Sequence, residues 1–164
     1  TQNARVRRTK IFFEDKAEFF ALLIADIYTS IRRAKLHNLI PCFRLNGTSD
    51  IPFERIMVPG YNKSIFDIFP TVQFYDYTKV PRRVTPKNYH LTFSRSELNS
   101  KNVNSEISRG RNVAVVFHKV PETYKGIPVI IGDISDLRFL DKRNVIVGLT
   151  AKGKAKKDTS GFVL

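Results

Sequence analysis

Six short runs of apolar and β-prone residues, each followed at once by polar side chains, set the strongest limit on what this chain can fold into. They are Cys42 to Leu45, Val72 to Tyr77, Tyr89 to Phe93, Val113 to Phe117, Val129 to Ile131 and Val145 to Leu149. Their length and their Val, Ile, Tyr and Phe content read as buried strands. Ahead of them, Asp15 and Glu18 form a start like a capping box, and Phe19, Leu22, Leu23, Ile27, Ile31 and Ala34 recur at three- and four-residue spacing. This predicts a helix from about Lys16 to His37, stopped by Asn38 in the left-handed conformation. Arg32, Arg33 and Lys35 suit its negative end as solvated caps. Weaker helical character lies in Ile51 to Phe69, broken at Pro59-Gly60, and in Ser96 to Ser108, with Ser94 or Ser96 as the cap. Helix and strand therefore alternate early, which argues for parallel β-α units. Only ten residues separate Phe117 from Pro128, short for a parallel crossover that contains a helix. The expected fold is α/β, a partial or irregular parallel β/α barrel of about six strands with one long N-terminal helix.

A chain of 164 residues with 42% hydrophobic content supplies one sizeable core. Residues 1–150 are expected to form a single α/β domain, and residues 151–164 a mobile basic tail carrying Lys152, Lys154, Lys156 and Lys157. Lys and Arg number 28 against 15 Asp and Glu, a formal charge of +13. Such a bias favours polyanions through counterion release and steering. It points to nucleic acid or a nucleotide as partner, with a host protein as the other option, although a solubility bias on an ordinary enzyme would give the same count. No apolar stretch approaches the roughly 18 residues that cross a bilayer, and no signal peptide pattern opens the chain, so a cytoplasmic place away from membranes is expected. The one cysteine, Cys42, lies in an apolar run that raises a thiol's pKa; it reads as a core thiol in a reducing compartment. The chain opens on Thr1 and on the basic segment Arg5 to Lys10 rather than on Met and a capped element, which leaves processing or truncation open.

In parallel α/β folds the carboxyl ends of the strands share one side, so polar groups placed there converge. The first run leads into Arg44, Asn46, Gly47, Thr48, Ser49 and Asp50, and the second carries Tyr75, Asp76, Tyr77, Thr78 and Lys79. The third leads into Ser94, Arg95, Ser96 and Glu97, the fourth into His118 and Lys119, the fifth into Asp133, Ser135, Asp136 and Arg138, and the sixth into Lys152. Asp76, Ser94, Glu97 and Asp133 are the candidate catalytic groups. Candidate ligand contacts are Arg44, Asn46, Thr48, Ser49, Asp50, Tyr75, Lys79, Arg95, Asp136, Arg138 and Lys152. The stretch Asn46 to Asp50 either presents backbone N–H groups to an anion, with Asp50 taking a hydroxyl or an amine, or forms an Asx turn. Asp76 alternates with Tyr75 and Tyr77, so it faces the other side of its strand and, if buried, needs a partner such as Arg44 or Lys79. Lys79, Arg82, Arg83 and Lys87, interleaved with Tyr75, Tyr77 and Tyr89, form the candidate nucleic-acid groove, cations for phosphates and rings for bases. A basic loop after a strand with inward tyrosines reads the same way.

His90 sits within a strand and reads first as a core histidine. Asp133 and Asp136 have a spacing that suits a ribose or a metal, but His37, His90 and His118 lack zinc-site spacing, so no metal is expected. The phosphate-loop, dinucleotide, hydrolase and zinc-protease signatures do not occur in the sequence, and the reaction, if there is one, is not legible.

The runs RLNGTSDI from Arg44, VQFYDYTK from Val72, NYHLTFSRSE from Asn88 and KGKAKKDTSGFV from Lys152, with Asn112 to Phe117 and Asp133 to Asp141, resemble the gene product 88 family of bacteriophages and prophages over nearly the whole chain. The resemblance implies a phage-encoded protein of uncharacterised reaction in the cytoplasm of an infected bacterium. Family members usually carry several closely spaced cysteines upstream of the equivalent of Ala4 to Thr9. A cysteine cluster, a helix and a polar strand end in that order are similar to a radical S-adenosylmethionine barrel, in which Asn46 to Asp50 would stand where the methionine amino group is held. By that analogy an iron-sulfur cluster and S-adenosylmethionine belong only to a chain with the upstream cysteines, and Cys42 alone cannot build the cluster. This chain also has Ile131 where members tend to have an acidic residue before Gly132, which weakens a carboxylate cluster around Asp133, and its Val58 to Tyr61 region looks like an insertion. The expectation is a phage protein acting on or binding nucleic acid or nucleotides through its strand-end face; the alternative is a non-enzymatic basic module for nucleic acid or a host protein.

Overall fold

The long helix begins where its capping residues place it: the Asp15 side chain accepts from the Glu18 N–H at 2.9 Å, and helix α2 runs Lys16–Leu36. It ends at His37, and Asn38 takes the left-handed conformation at φ 53°. The computed structural model describes residues 2–164; Thr1, on which the question of a natural start turns, lies outside the described residues. The chain divides into two compact units, one made of residues up to Phe43 with Pro52–Gln73, the other of Arg44–Ile51 with Phe74–Leu164.

In the first unit the basic opening segment, expected to lack a capped element, is itself a helix, α1, Gln2–Glu14. It precedes α2 by the single residue Asp15. The unit also holds the short strand β1, Cys42–Phe43, a 3-10 turn at Phe53–Arg55 and the one-turn helix α3, Ile65–Ile68. The helical stretch expected over Ile51 to Phe69 is thus reduced to two short pieces, and a Ser64–Asp67 capping box starts the second. The core is aromatic. Phe12 meets Phe19 edge-on at 5.1 Å and Phe53 at 6.0 Å, while Phe19 stacks on Phe53 at 6.3 Å. Such pairs add about 0.5–1.5 kcal/mol each to simple burial.

The second unit holds strands β2, Gln73–Thr78, from its second residue onward; β3, Tyr89–Ser94; β4, Val113–Phe117; β5, Thr123–Tyr124; β6, Ile127–Ile131; and β7, Ile146–Thr150. Helix α4 is Val103–Ser108. The sheet is mostly parallel, as the alternation of elements predicts, and these strands follow the linear order β2, β3, β4, β7, β6, β5. One strand more than expected appears because the short Phe117 to Pro128 link contains the β5–β6 hairpin, the antiparallel pair, turned by Lys125 and Gly126 at φ 52° and 76°. Central parallel strands are covered on both faces, and Val113, Val115 and Ile146 are wholly buried with Phe93 and Val103. Within β7, Gly148 has no room for a side chain: a Cβ there would lie 2.5 Å from Val120 and 2.7 Å from Val129.

Neither Ser94 nor Ser96 caps a helix. The Asn99 side chain instead accepts from the Ser96 N–H at 2.6 Å and donates to the Ser94 carbonyl at 3.0 Å. The basic C-terminal segment contains a 3-10 stretch at Gly153–Lys157 and returns to the sheet, where Val163 bridges Val116 in parallel and is buried. Arg95 fixes that return by donating to the carbonyls of Gly161 at 2.6 Å and Phe162 at 2.7 Å.

Candidate ligand-binding cleft

The alternation of β2 decides the site. Asp76 lies on the face opposite the flanking tyrosines and is completely buried, so its carboxylate must find donors inside the protein. It finds the Leu45 N–H at 3.2 Å, the Asn46 N–H at 3.0 Å and the Tyr89 hydroxyl at 3.1 Å, with the Arg44 Nε 3.8 Å away. Arg44 is thus the partner, and Lys79 is not. Burial still outweighs these contacts and pushes the Asp76 carboxyl up to about 6, against the pull of Asn46, Tyr89, Leu45 and Arg44. Burial, helped by the Asp76 charge, also raises the Tyr89 hydroxyl.

Asp76 thereby holds the start of the Arg44–Ile51 loop, and Asn46 shapes the rest. The buried Asn46 side chain accepts from the Ser49 hydroxyl at 2.7 Å and the Ile51 N–H at 2.9 Å, and donates to the Ile51 carbonyl at 2.9 Å. Asn46 therefore acts as the loop's internal template, bonding three and five residues ahead rather than to the Thr48 N–H that an Asx turn would use. Asp50 closes the loop against β2, accepting from the Thr78 hydroxyl at 3.0 Å, the Lys79 N–H at 2.7 Å and Arg83 at 2.6 Å. Arg83 is 2% exposed, so this guanidinium is a strut within the fold rather than a phosphate contact in the candidate groove. Arg82 and Lys87 are exposed, and neither they nor Arg83 line the cleft.

The loop and the ends of β2 and β3 surround an open cleft of about 400 Å³, lined by Arg44, Asn46, Gly47, Thr48, Ser49, Asp50, Tyr77, Thr78, Lys79 and Ser94. Ser94, Lys79 and the Arg44–Asp50 segment therefore converge as the strand-end reading requires. Gly47, Tyr77 and Thr78, read from the sequence as part of the strand-end face and, for Tyr77, as a ring of the groove, also line the cleft, although none was assigned a ligand contact there. At one edge Asp136 accepts from Arg44 at 2.6 Å and from the Tyr77 hydroxyl at 3.1 Å, and Arg44 lies over the rings of Tyr77 at 5.2 Å and Tyr75 at 5.9 Å. Burial first, then the Asp136 charge and hydrogen bond, raise the Tyr77 hydroxyl. Lys79 has no carboxylate partner among the described residues, and its ammonium lies 5.6 Å from the Phe162 ring centre.

The remaining candidates lie outside the cleft lining. Glu97 is exposed. Asp133 accepts from Lys152 at 2.6 Å and from the Thr150 N–H at 2.8 Å; those bonds, the Lys152 one foremost, hold its carboxyl down at about 2. Arg138 is buried, donates to the Ser135 carbonyl and lies 3.3 Å from Asp141, so it organises its own loop. Arg95 is spent on the C-terminal return. His90 is partly buried, with desolvation first and then Arg111, Arg138 and Arg143 lowering its pKa. Among the described residues no group of three or more His, Cys, Asp and Glu is placed to hold a metal ion, and no helix is long and apolar enough to cross a membrane.

A family model described as gene product 88 matches residues 1–164. No match was found among the curated proteins or among the solved structures.

Proposed function

The chain belongs to the gene product 88 family, and on that premise we propose that it binds a phosphorylated ligand of the nucleotide class in the cleft beside the Arg44–Ile51 loop. One observation carries this reading. The backbone N–H groups of Gly47, Thr48, Ser49 and Asp50, four consecutive cleft-lining residues, donate to nothing within the described chain. Backbone donors left unpaired in a fixed loop are satisfied by water or by an anion, and phosphate oxygens are the acceptors that use several at once.

The charges agree. Asp50 is neutralised by Arg83 and Asp136 by Arg44, which leaves the Lys79 ammonium as the cleft-lining cation without a carboxylate. The Thr48 and Ser94 hydroxyls are available for the rest of a ligand, and a space of about 400 Å³ is of the size that small-molecule sites occupy. Binding is favoured over acid–base catalysis because Asp76, the one candidate base with a pKa raised to about 6, is completely buried behind the loop it holds.

Isothermal titration of the chain with inorganic phosphate, AMP and ATP tests the reading. Heat from a nucleotide that weakens about tenfold or more in Lys79→Gln is expected, the size of one charge-assisted hydrogen bond. Silence from all three ligands with the unaltered chain would sink it.

A further inference from the structure

Helix α1 has a charge pattern that folding alone does not explain. Every residue from Gln2 to Lys10 is exposed, and Phe12 is the buried residue of the helix. Arg5, Arg7, Arg8 and Lys10 lie in that exposed stretch, and the ion pair of Lys10 with Glu14 spans 3.9 Å between two solvated side chains. No acidic residue stands in the first turn and no basic one in the last, the reverse of what the helix dipole favours. Arg5 with Arg8, and Arg7 with Lys10, are neighbours three residues apart and repel. A helix of 13 residues with so little tertiary packing is marginal by itself, and these charges weaken it further. A polyanion laid along it reverses each of those costs.

The distribution of the cations selects the polyanion. At about 100° per residue, Arg5, Arg7, Arg8 and Lys10 span an arc of about 220°. The stripe left between them holds Gln2, Val6, Thr9 and Phe13, half of it polar. A helix lying on a membrane needs a broad apolar face opposite its basic one, and α1 has none. Cations over more than half the circumference suit a helix flanked by phosphates on two sides, as in the major groove of B-form DNA, which is about 12 Å wide and admits a helix. We propose that α1 is a contact surface for duplex DNA, reading the phosphate backbone and consolidating as it binds. This goes beyond the cleft, which lies in the other unit and involves none of these residues.

The test is fluorescence anisotropy with a labelled mixed-sequence DNA duplex, measured over a series of salt concentrations. Replacing Arg5, Arg7, Arg8 and Lys10 by Gln is expected to lower the slope of log affinity against log salt by about 3–4, and the Arg5→Gln/Arg8→Gln pair by about 2. A control with Lys63, Lys101, Lys142 and Lys154 changed to Gln removes the same charge elsewhere and should move the slope by less than one. Far-ultraviolet circular dichroism should show helix gained on adding duplex to the unaltered chain and not to the fourfold α1 variant. Equal loss in the control, an unchanged slope in the α1 variants, duplex RNA bound as tightly as DNA, or phosphatidylserine vesicles bound through α1 in place of DNA would each overturn the proposal. Thermal unfolding of each variant confirms that it is folded.

Discussion

Helix α1 of the first unit and a set of arginines in the second use their cations in opposite ways. In the second unit four arginines are drawn inside, Arg83 onto Asp50, Arg138 onto Asp141, Arg111 onto Glu106 and Arg95 onto the carbonyls of Gly161 and Phe162, while Arg82, Arg109 and Arg143 stay exposed. In the first, Arg5, Arg7, Arg8 and Lys10 stand on a helix that packs through Phe12 and leaves them in water. A formal charge of +13 therefore sums two populations. Arginines of one kind are internal braces whose fork of donors replaces missing backbone partners. Those of the other kind contribute little to stability and are available to a partner. Net charge alone cannot separate them, and burial does.

Removing a brace should break this contrast most visibly. Arg83→Ala leaves the Asp50 carboxylate without its cation; loss of one partner from a largely buried pair costs about 3–5 kcal/mol, measured by urea unfolding. A loss below 1 kcal/mol would place Arg83 with the dispensable cations.

Asp76 gives the next largest effect, and it depends on pH. Its carboxyl rises from an ordinary 3.8 to about 6 in the folded chain, so between those values the folded state holds more proton than the unfolded one. Stability contributed by this group is full below about pH 4 and is lost as pH rises through about 6, roughly 3 kcal/mol at about 1.36 kcal/mol per pH unit. Unfolding at pH 4, 5, 6 and 7 should show that decline, and Asp76→Asn should flatten it. An identical decline in the variant would assign it to other groups.

The smallest effect is expected on α1. Changing its four cations to Gln should shift global stability by no more than about 0.5 kcal/mol, with the sign toward stabilisation because repulsion is relieved. A loss of 2 kcal/mol or more would show that these side chains brace the fold after all and erase the distinction between the two populations.

Much of the second unit was legible because its determinants are local. Apolar runs bounded by polar residues mark its parallel strands, and in the first unit Asp15 with Asn38 mark the ends of α2 in the same local way. The missing elements lacked those signals. Helix α1 has no periodic apolar face, since it buries so little, and β5 is two residues long. The convergence of Arg44 to Asp50 with Lys79 and Ser94 was visible from strand order, as was the inward turn of Asp76. Invisible were the pairings across long separations: Arg83 with Asp50 lies 33 positions away, and Arg44 with Asp136 lies 92. A sequence shows that such residues are charged, and only the fold shows which neutralises which. Lys79, Arg82, Arg83 and Lys87 therefore read as one groove, whereas the structure makes one a brace and another a cleft wall.

Asp76 has a consequence for how variants of this chain will be interpreted. Its carboxylate sits behind the loop and grips Leu45 and Asn46 by their backbones, while Gly47 to Asp50 face the cleft. A scan scored on ligand capture would rank Asp76 among the most sensitive positions, and would do so whichever ligand was used. That lack of discrimination is its signature. Loss at Lys79 should vary with the charge of the ligand, whereas loss at Asp76 should be the same for all of them, as befits a keystone that the guest never meets.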